Sequence, residues 1–338
     1  MKRICLLIYT FLSVSLLSEA QDPHFSQFFA SPLTLNPALT GKFDGTLRVA
    51  GNYRDQWPAF NNVYTTQTLS IDFGIMRKKI PENDVWGVGI LALSDKAAGG
   101  ILTNNYIGLS TSYHKSLDEN GFNSIGVGFQ GTYGQKRLDW TKLIFSDQLT
   151  PFGYDISIPS ADISTMNVSN INILDINAGL IYSTSSNGRN NFYVGASQYH
   201  INKPKESFKG GTWNVAPRTT ISAGGYFPVS DMLTLHTSGI FQSQAQSTET
   251  TIGAALSANL TETDGSNPSQ IYFGTWLRTS DAIIPYLGLE FSGMRIGASY
   301  DINTSNLKSG SQSRGGMELS LIYIKRPPDQ KGIPCPKF

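Results

Sequence analysis

The sequence predicts an all-β fold, a transmembrane antiparallel β-barrel of about 14 strands in an outer membrane. Three observations predict it: an export signal at the start of the 338-residue chain, a repeated alternation of apolar with small or polar residues, and connections that are long and short in turn. Alternation with period two is the pattern of a strand that has one apolar face and one polar face. In a membrane barrel the apolar face contacts lipid and the polar face lines the interior.

Residues 1–20 form the predicted signal peptide. Two cations precede the apolar run Ile4–Leu17, and small residues stand at the cleavage positions before Gln21. The run has 14 residues, too few to span a bilayer of roughly 30 Å as a helix. Cys5 lies at the start of the run, which argues against a lipoprotein anchor. Cleavage leaves Cys335 as the one cysteine, so no intramolecular disulfide is expected.

The charge balance does not point to a partner that is nucleic acid or an acidic substrate. Cleavage removes two of the 26 Lys and Arg and one of the 25 Asp and Glu, which leaves 24 of each. A neutral chain gives no indication of binding to nucleic acid or to acidic substrates. No later stretch approaches the ~18 apolar residues of a membrane helix, so any membrane embedding must use strands.

The predicted strands follow the alternation. It is clearest in Ser124–Tyr133, where Ile125, Val127 and Phe129 share one face and glycines with polar residues share the other. The predicted strands cover residues 45–54, 64–73, 85–93, 106–115, 123–133, 173–184, 190–199, 217–227, 233–242, 248–259, 270–278, 283–291, 293–301 and 315–324.

The connections favour a membrane barrel over a soluble propeller or double sandwich, in which long and short loops have no reason to alternate. With both termini periplasmic, the short connections are the periplasmic turns. They are Gly74–Asp84, Ser116–Phe122, Ser185–Arg189, Pro228–Met232, Leu260–Ser269 and Ser292. The long outward connections are Asp55–Val63, Ser94–Asn105, Gly134–Asn172, His200–Ala216 and Ile302–Arg314, whereas two outward connections, near Gln246 and Asp281, are short.

Two segments break the alternation. Residues 21–44 contain three prolines and a cluster of phenylalanines that would make a poor solvated tail, so we expect them to plug the lumen or cover its periplasmic mouth. The outward loop 134–172 is far longer than a hairpin needs, and long loops of this kind tend to carry function. The barrel is predicted over residues 45–324 and a periplasmic tail over residues 325–338.

A search for catalytic chemistry finds no enzyme and no cofactor site. Gly126–Gly131 matches GxGxxG but lies within a strand, with no helix after it, so small residues on a crowded inner face explain it better. The histidines lack metal-ligand spacing, and a lipase-like pairing of His114 with a nearby serine is only formally allowed. Arg54 and Asp55 are expected at the rim. Charges expected on inward faces, as ion-paired filling or as a substrate path, are Arg48, Arg278, Glu290, Arg295, Asp301 and Glu318.

Several separated motifs resemble one known family. The mature start DPHFSQFF (22–29) with LNPALTG (35–41) is similar to the opening of PorP/SprF proteins of the type IX secretion system of Bacteroidota. YRDQW (53–57), LDW (138–140) with FSDQ (145–148), and YFGTWLR (272–278) resemble further family motifs, although Leu277 stands where tyrosine is usual. The resemblance extends in order to the ending CPKF (335–338).

The resemblance implies an outer-membrane barrel, not an enzyme, that aids export or surface attachment of secreted proteins such as large gliding adhesins. Implied partners are outer-membrane lipids, a secreted substrate that is recognised through its C-terminal sorting domain, and other type IX components, including periplasmic peptidoglycan-binding proteins. A small-solute channel and a soluble binding protein stay open as alternatives. Candidate partner-binding or plug residues in the motifs are Phe25, Ser26, Gln27, Asn36, Pro37, Tyr53, Arg54, Gln56, Trp57, Asp139, Trp140, Asp147 and Gln148.

Overall fold

The computed structural model describes residues 22–60, 63–164, 169–186, 190–208, 211, 213–260 and 269–326. The predicted signal peptide and nearly all of the predicted tail, with Cys335, lie outside these residues. The strands are β1 (Leu47–Gln56), β2 (Tyr64–Ile75), β3 (Val85–Ala97), β4 (Leu102–Ser116), β5 (Ser124–Leu138), β6 (Leu149–Thr150), β7 (Gly153–Tyr154), β8 (Asn170–Ser185), β9 (Asn191–Tyr199), β10 (Arg218–Pro228), β11 (Leu233–Gln244), β12 (Ser247–Asn259), β13 (Gln270–Arg278), β14 (Ala282–Phe291), β15 (Met294–Asn303) and β16 (Arg314–Lys325).

Within the described residues, 14 of these strands form one closed antiparallel barrel, and β6 and β7 form a separate small hairpin. The barrel closes where β1 pairs with β16, from Leu47 opposite Lys325 to Gln56 opposite Gly316. Strand β5 pairs directly with β8, because β6 and β7 belong to the loop between them. The predicted fold class and strand number are confirmed.

The two ends of the barrel differ in their connections. We call one the short-turn end; its connections are 76–84, 117–123, 186–190, 229–232, 260–269 and 292–293. We call the other the long-loop end; its connections are 57–63, 98–101, 139–169, 200–217, 245–246, 279–281 and 304–313. Because the strand number is even, β1 begins and β16 ends at the short-turn end.

Strands β3, β4 and β5 extend beyond the predicted limits at the long-loop end. The ladder continues through polar residues; Ser94 pairs with Asn105, and its hydroxyl donates to the Asn105 Oδ1 at 2.8 Å. Polar side chains on both faces erase the alternation, although the backbone hydrogen bonds continue. The predicted loop Ser94–Asn105 therefore shrinks to residues 98–101, and the predicted loop 134–172 shrinks to 139–169.

The wall has an apolar outer face and a polar inner face. On β4, Ile107 and Leu109 point outward and are exposed, whereas Ser110, Ser112 and His114 point inward and are buried. An apolar band outside polar lining is the arrangement of an outer-membrane barrel. Among the described residues, no helix has the length and apolar character needed to cross a membrane.

The lumen is filled by residues 22–44, which we call the lumen segment. It has no strand and folds into short helical turns at Phe28–Ala30, Pro32–Leu35 and Pro37–Leu39. Phe28, Leu35 and Leu39 join one buried apolar cluster with wall residues. The Phe29 ring lies 5.0 Å from the Trp276 ring and 5.5 Å from the Tyr286 ring, so its apolar content packs against the inner wall instead of meeting water.

The lumen segment runs the height of the barrel. The Asp22 N–H donates to the Gln244 Oε1 at 2.8 Å, where β11 ends at the long-loop end. At the short-turn end, the Arg326 Nε donates to the Asp44 carbonyl oxygen at 3.1 Å. Asp22 and Arg326 therefore lie at opposite ends of the barrel, although β1 begins and β16 ends at the same end, as the even strand number predicts. The prediction that both termini are periplasmic concerns residues outside the described ones and stays a prediction. The lumen segment leaves the lumen at the short-turn end because β1 begins there. The position of its other end, at Asp22, depends on tertiary contacts with the wall.

Candidate functional site

The densest contacts between the lumen segment and the wall are made by Ser26 and Gln27. The Glu318 carboxylate accepts from the Ser26 N–H at 2.8 Å and from the Gln27 N–H at 2.9 Å. The Gln27 side chain donates to the Glu318 carbonyl oxygen at 3.0 Å and accepts from the Ser320 hydroxyl at 2.6 Å. All of these groups are buried. Two backbone N–H groups and one side-chain amide of the segment converge on Glu318, so Glu318 is the main anchor of this stretch.

Buried charges surround this anchor. Arg54 on β1 lies 3.0 Å from Asp301 and 3.2 Å from Glu318, and Arg278 on β13 lies 2.9 Å from Asp301. The Ser26 hydroxyl donates to Asp301 and accepts from Arg278. We call Arg54, Arg278, Asp301 and Glu318 the central charge cluster. Arg54 is 2% exposed, so the expectation that it is a rim charge is wrong; the lumen segment covers it.

A second anchor holds residues 36–38 against β5 and β8. The Asn36 amide donates to the Leu180 carbonyl oxygen at 3.0 Å, and the Asn36 Oδ1 accepts from the Ala38 N–H at 2.8 Å. This contact requires glycine in the wall. A Cβ built at Gly179 would lie 1.9 Å from the Asn36 Oδ1, and one at Gly128 would lie 2.3 Å from the Ala38 nitrogen. Of the GxGxxG match in β5, Gly128 is thus part of the wall against the lumen segment, whereas Gly126 lies against His114 and Gly131 is exposed.

A third anchor lies nearer the short-turn end. The Asp72 carboxylate accepts from the Gly41 N–H at 2.7 Å and pairs with Arg48 at 2.7 Å. The Arg48 guanidinium also donates to the Leu39 carbonyl oxygen at 2.9 Å. The Thr40 hydroxyl lies 2.6 Å from the Ser110 hydroxyl. The sequence LNPALTG therefore meets the wall through side chains and through its own backbone.

A charged latch fixes the first described residue at the long-loop end. The His200 Nε2 lies 2.6 Å from an Asp22 carboxylate oxygen, and the His200 Nδ1 lies 3.0 Å from an Asp175 oxygen. Arg218 lies 3.5 Å from Asp22. Burial alone would lower the pKa of His200, but the hydrogen bonds with Asp175 and Asp22 raise it to about 9. Burial opposes ionisation of Asp22, yet Arg218 and His200 hold its pKa well below the usual range.

His24 behaves differently from His200. Its Nε2 lies 3.1 Å from a Glu249 oxygen. Burial lowers the pKa of His24 to about 4, because the attraction of Glu249 does not offset the lost hydration and the nearby Arg54 and Arg278. At neutral pH His24 is therefore a neutral hydrogen-bonding group.

The lumen segment leaves small spaces inside the barrel. A cavity of about 70 Å³ lies toward the short-turn end between Phe43, Arg48 and Arg326. Another, of about 60 Å³, lies toward the long-loop end between Tyr106, Gln130 and His200. Each is the volume of a few water molecules at most. The interior is a packed interface between the segment and the wall.

The loop 139–169 presents apolar side chains outside the barrel. Phe152, at the tip of the β6–β7 hairpin, is 101% exposed, and Ile156 is 76% exposed. Trp213 in the loop 200–217 is 64% exposed. Exposed apolar side chains grouped at one end of a protein are typical of a surface that contacts another protein. They belong to the connections at the long-loop end and not to the strands of the barrel.

Residues 17–323 match the sequence model of a family described as "Type IX secretion system membrane protein PorP/SprF". The chain belongs to the PorP/SprF family. It is therefore a type IX secretion membrane protein with an outer-membrane barrel fold. The resemblance found in the sequence is confirmed.

Other comparisons add little about this PorP/SprF protein. No curated protein matches it. Among solved structures it is similar to the toluene transporter TbuX of Ralstonia pickettii, with 9% identity, a TM-score of 0.48, and coverage of 88% of this chain and 93% of that one. It is also similar to a KdgM porin, with 9% identity, a TM-score of 0.40, and coverage of 82% and 98%. Likeness at this level says nothing about what the PorP/SprF chain binds.

The structure separates the PorP/SprF motif residues into two groups. Phe25, Ser26, Gln27, Asn36 and Pro37 are buried in the lumen. Arg54 joins them from the wall. The other residues of the YRDQW motif lie at or near the end of β1: Tyr53 faces outward, Gln56 is half-buried, and the Trp57 ring lies 5.5 Å from the Tyr64 ring. These three do not join the lumen contacts.

The long-loop motif of the PorP/SprF chain shapes its own loop. Asp139 accepts from the Thr141 N–H at 3.3 Å, and Asp147 accepts from the Ala161 N–H at 2.8 Å. The buried Gln148 side chain donates to the Ile158 carbonyl oxygen at 2.8 Å and so joins the chain just before β6 to the chain after β7. The Trp140 ring lies 6.0 Å from the Phe208 ring, which links the loops 139–169 and 200–217.

Sequence reasoning missed the latch residues Asp175, His200 and Arg218, and the anchor Asp72. Their signal in the sequence is a charge or imidazole at or beside an inward strand position. That signal marks a side chain that faces the lumen but does not name its partner. Asp22 and His200 are separated by 178 residues, and only the closed barrel brings them together.

Proposed function

We propose that this protein is a docking barrel of the type IX secretion machinery that helps export or attach a large secreted protein, such as an adhesin, at the cell surface. The observation that carries the proposal is the division of the molecule. Its lumen is filled by its own residues 22–44, which hydrogen-bond to buried wall residues such as Glu318, whereas its long-loop end displays apolar side chains such as Phe152 and Trp213. A solute channel needs an open path; a docking protein needs an accessible surface.

The orientation follows from general barrel architecture. Barrels of bacterial outer membranes have short periplasmic turns and longer outer loops. We therefore place the long-loop end outside the cell and the short-turn end in the periplasm. The loops 139–169 and 200–217 then meet the exported protein at its C-terminal sorting domain. The short-turn end and the residues after Lys325 meet periplasmic components of the machinery, including those that bind peptidoglycan.

Site-specific photocrosslinking in the native host tests the proposal. A photoreactive phenylalanine analogue replaces Phe152 in one variant and Leu117 in another; both side chains are apolar and exposed, and Leu117 lies in the short turn 117–123. We expect the Phe152 position to crosslink to the secreted protein and the Leu117 position to crosslink to periplasmic proteins. Secretion with no crosslink from Phe152, or crosslinks to the secreted protein from Leu117 alone, would contradict the proposal.

Shortening the loop provides the functional arm of the same test. Joining Asp139 to Ser169 by a short Gly-Ser linker removes the hairpin but leaves the β5–β8 ladder, which ends at Arg137 opposite Asn170. We expect folded barrel in the outer membrane and loss of the secreted protein from the cell surface. Normal surface display by the shortened variant would exclude this loop as the docking surface.

A further inference from the structure

The first residues of the lumen segment are held by strand ends at a single end of the barrel. Asp22 contacts His200, directly after β9, Arg218, the first residue of β10, and Gln244, the last residue of β11. These positions all lie at the long-loop end. The start of the described chain is therefore fixed by contacts from three neighbouring strands and not by one.

The other end of the segment is fixed equally well at the short-turn end. The Thr46 N–H donates to the Lys325 carbonyl oxygen at 2.8 Å, and the Arg77 guanidinium donates to the Gly45 carbonyl oxygen at 2.7 Å. Between these ends the three anchors at Ser26–Gln27, Asn36 and Gly41 follow one another down the lumen. The chain crosses the height of its own barrel before β1 begins.

The contact at Asp22 also sets where the preceding peptide bond lies. Because the Asp22 N–H donates to Gln244, the bond to residue 21 is held at the long-loop mouth. The polar route through the lumen is the one open to this stretch, since Asp22 and His24 would be costly in hydrocarbon. Asp22 is therefore held at the long-loop mouth.

We propose that, once the predicted signal peptide is removed, the new N-terminus is presented at the long-loop mouth, on the opposite side of the membrane from the C-terminal end of the barrel. The N-terminal residues then form part of the surface that the proposed secreted partner meets, next to the latch and the loop 200–217. The inference goes beyond the docking role. That the N-terminus lies on the same side as the long loops does not depend on which side of the membrane those loops face.

Epitope accessibility tests this topology. One epitope is inserted between Gln21 and Asp22, a second between Phe152 and Gly153 in the long loop, and a third after Glu119 in the short turn 117–123. Antibody binding is measured on intact cells and after the outer membrane is permeabilised. We expect the epitope before Asp22 to behave like the one at Phe152 and unlike the one at Glu119. The reverse pairing would overturn the inference.

The same experiment separates failure of the inference from failure of the proposed orientation. If the Phe152 epitope is hidden on intact cells, the orientation is wrong. The inference on the N-terminus still stands or falls by which epitope it matches.

A second measurement avoids any insertion at the N-terminus. In a Cys335→Ser background, Asp22 and His200 are both replaced by cysteine, and the control pair replaces Asp22 and Arg326. A short bis-maleimide should link the first pair, whose native side chains are 2.6 Å apart, and should not link the control pair at opposite ends. A link in the control pair alone, with none in the first pair, would refute threading through the lumen.

Discussion

Glu318 offers the sharpest test of how the lumen segment is held. We consider Glu318→Ala, which removes a buried carboxylate that accepts two backbone N–H groups of the segment and pairs with Arg54. Hydrogen bonds to charged groups contribute about 1.5–3 kcal/mol each, and loss of one partner from a buried ion pair costs about 3–5 kcal/mol. Because Arg54 keeps Asp301 as a partner, we expect a loss of about 4 kcal/mol in the free energy of unfolding, within the range set by these two estimates.

The measurement is equilibrium urea unfolding of the protein in lipid vesicles, followed by Trp fluorescence. The control is Lys142→Ala, which breaks an exposed pair with Asp139 at 3.5 Å and should cost less than about 1 kcal/mol. Repeating Glu318→Ala in a chain that lacks residues 22–44 isolates the contribution of the Ser26 and Gln27 N–H groups. A cost for Glu318→Ala in the full chain no larger than that of Lys142→Ala would refute the proposed role of Glu318 as an anchor.

Two further predictions concern the wall and the latch. Gly128→Val places side-chain atoms where residues 37–38 lie and should lower the free energy of unfolding by about 1–3 kcal/mol in the same urea assay. The control is Gly131→Val in the same strand, which should cost much less because a Cβ there meets nothing within 4 Å. Equal costs would contradict close packing of the lumen segment on β5. The folded-state pKa of His200 is raised to about 9 from 6.5, so its stabilisation is complete below pH 6.5 and is lost as pH rises through 9. Wild-type protein should lose up to about 3 kcal/mol between pH 6 and pH 10 relative to His200→Asn, and parallel pH profiles for the two proteins would contradict the latch.

The strand pattern could be predicted from the sequence because the two faces of each strand contact different environments, lipid and the polar interior. Lipid outside and polar groups inside impose alternation residue by residue, as in Leu174, Ile176 and Leu180 against Asp175 and Asn177. The alternation does not predict the strand ends that lie beyond the lipid-facing band. At Gln135–Arg137 both faces of β5 are polar, so the ladder continues to Leu138 without any periodic signal.

The contacts of the lumen segment could not be predicted in the same way. The sequence indicates that Ser26 lies in an unusual apolar segment and that Glu318 faces inward, but 292 residues separate the two. Their contact depends on barrel closure and on the path of the segment. For the same reason the sequence leaves the position of Asp22 open: nothing local in residues 22–44 indicates whether the segment crosses the lumen or stays at one mouth of the barrel.

The central claim is that residues 22–44 fill the lumen of the barrel, so that the protein docks a secreted protein instead of conducting solutes. A barrel of 14 strands is wide enough for a water-filled channel unless something occupies it. The direct measurement is single-channel conductance in planar bilayers, with the full-length protein and a variant that lacks residues 22–44. We predict no large steady openings from the full-length protein and large openings from the variant. Large, steady openings from the full-length protein that the deletion leaves unchanged would contradict the claim and would favour a small-solute channel.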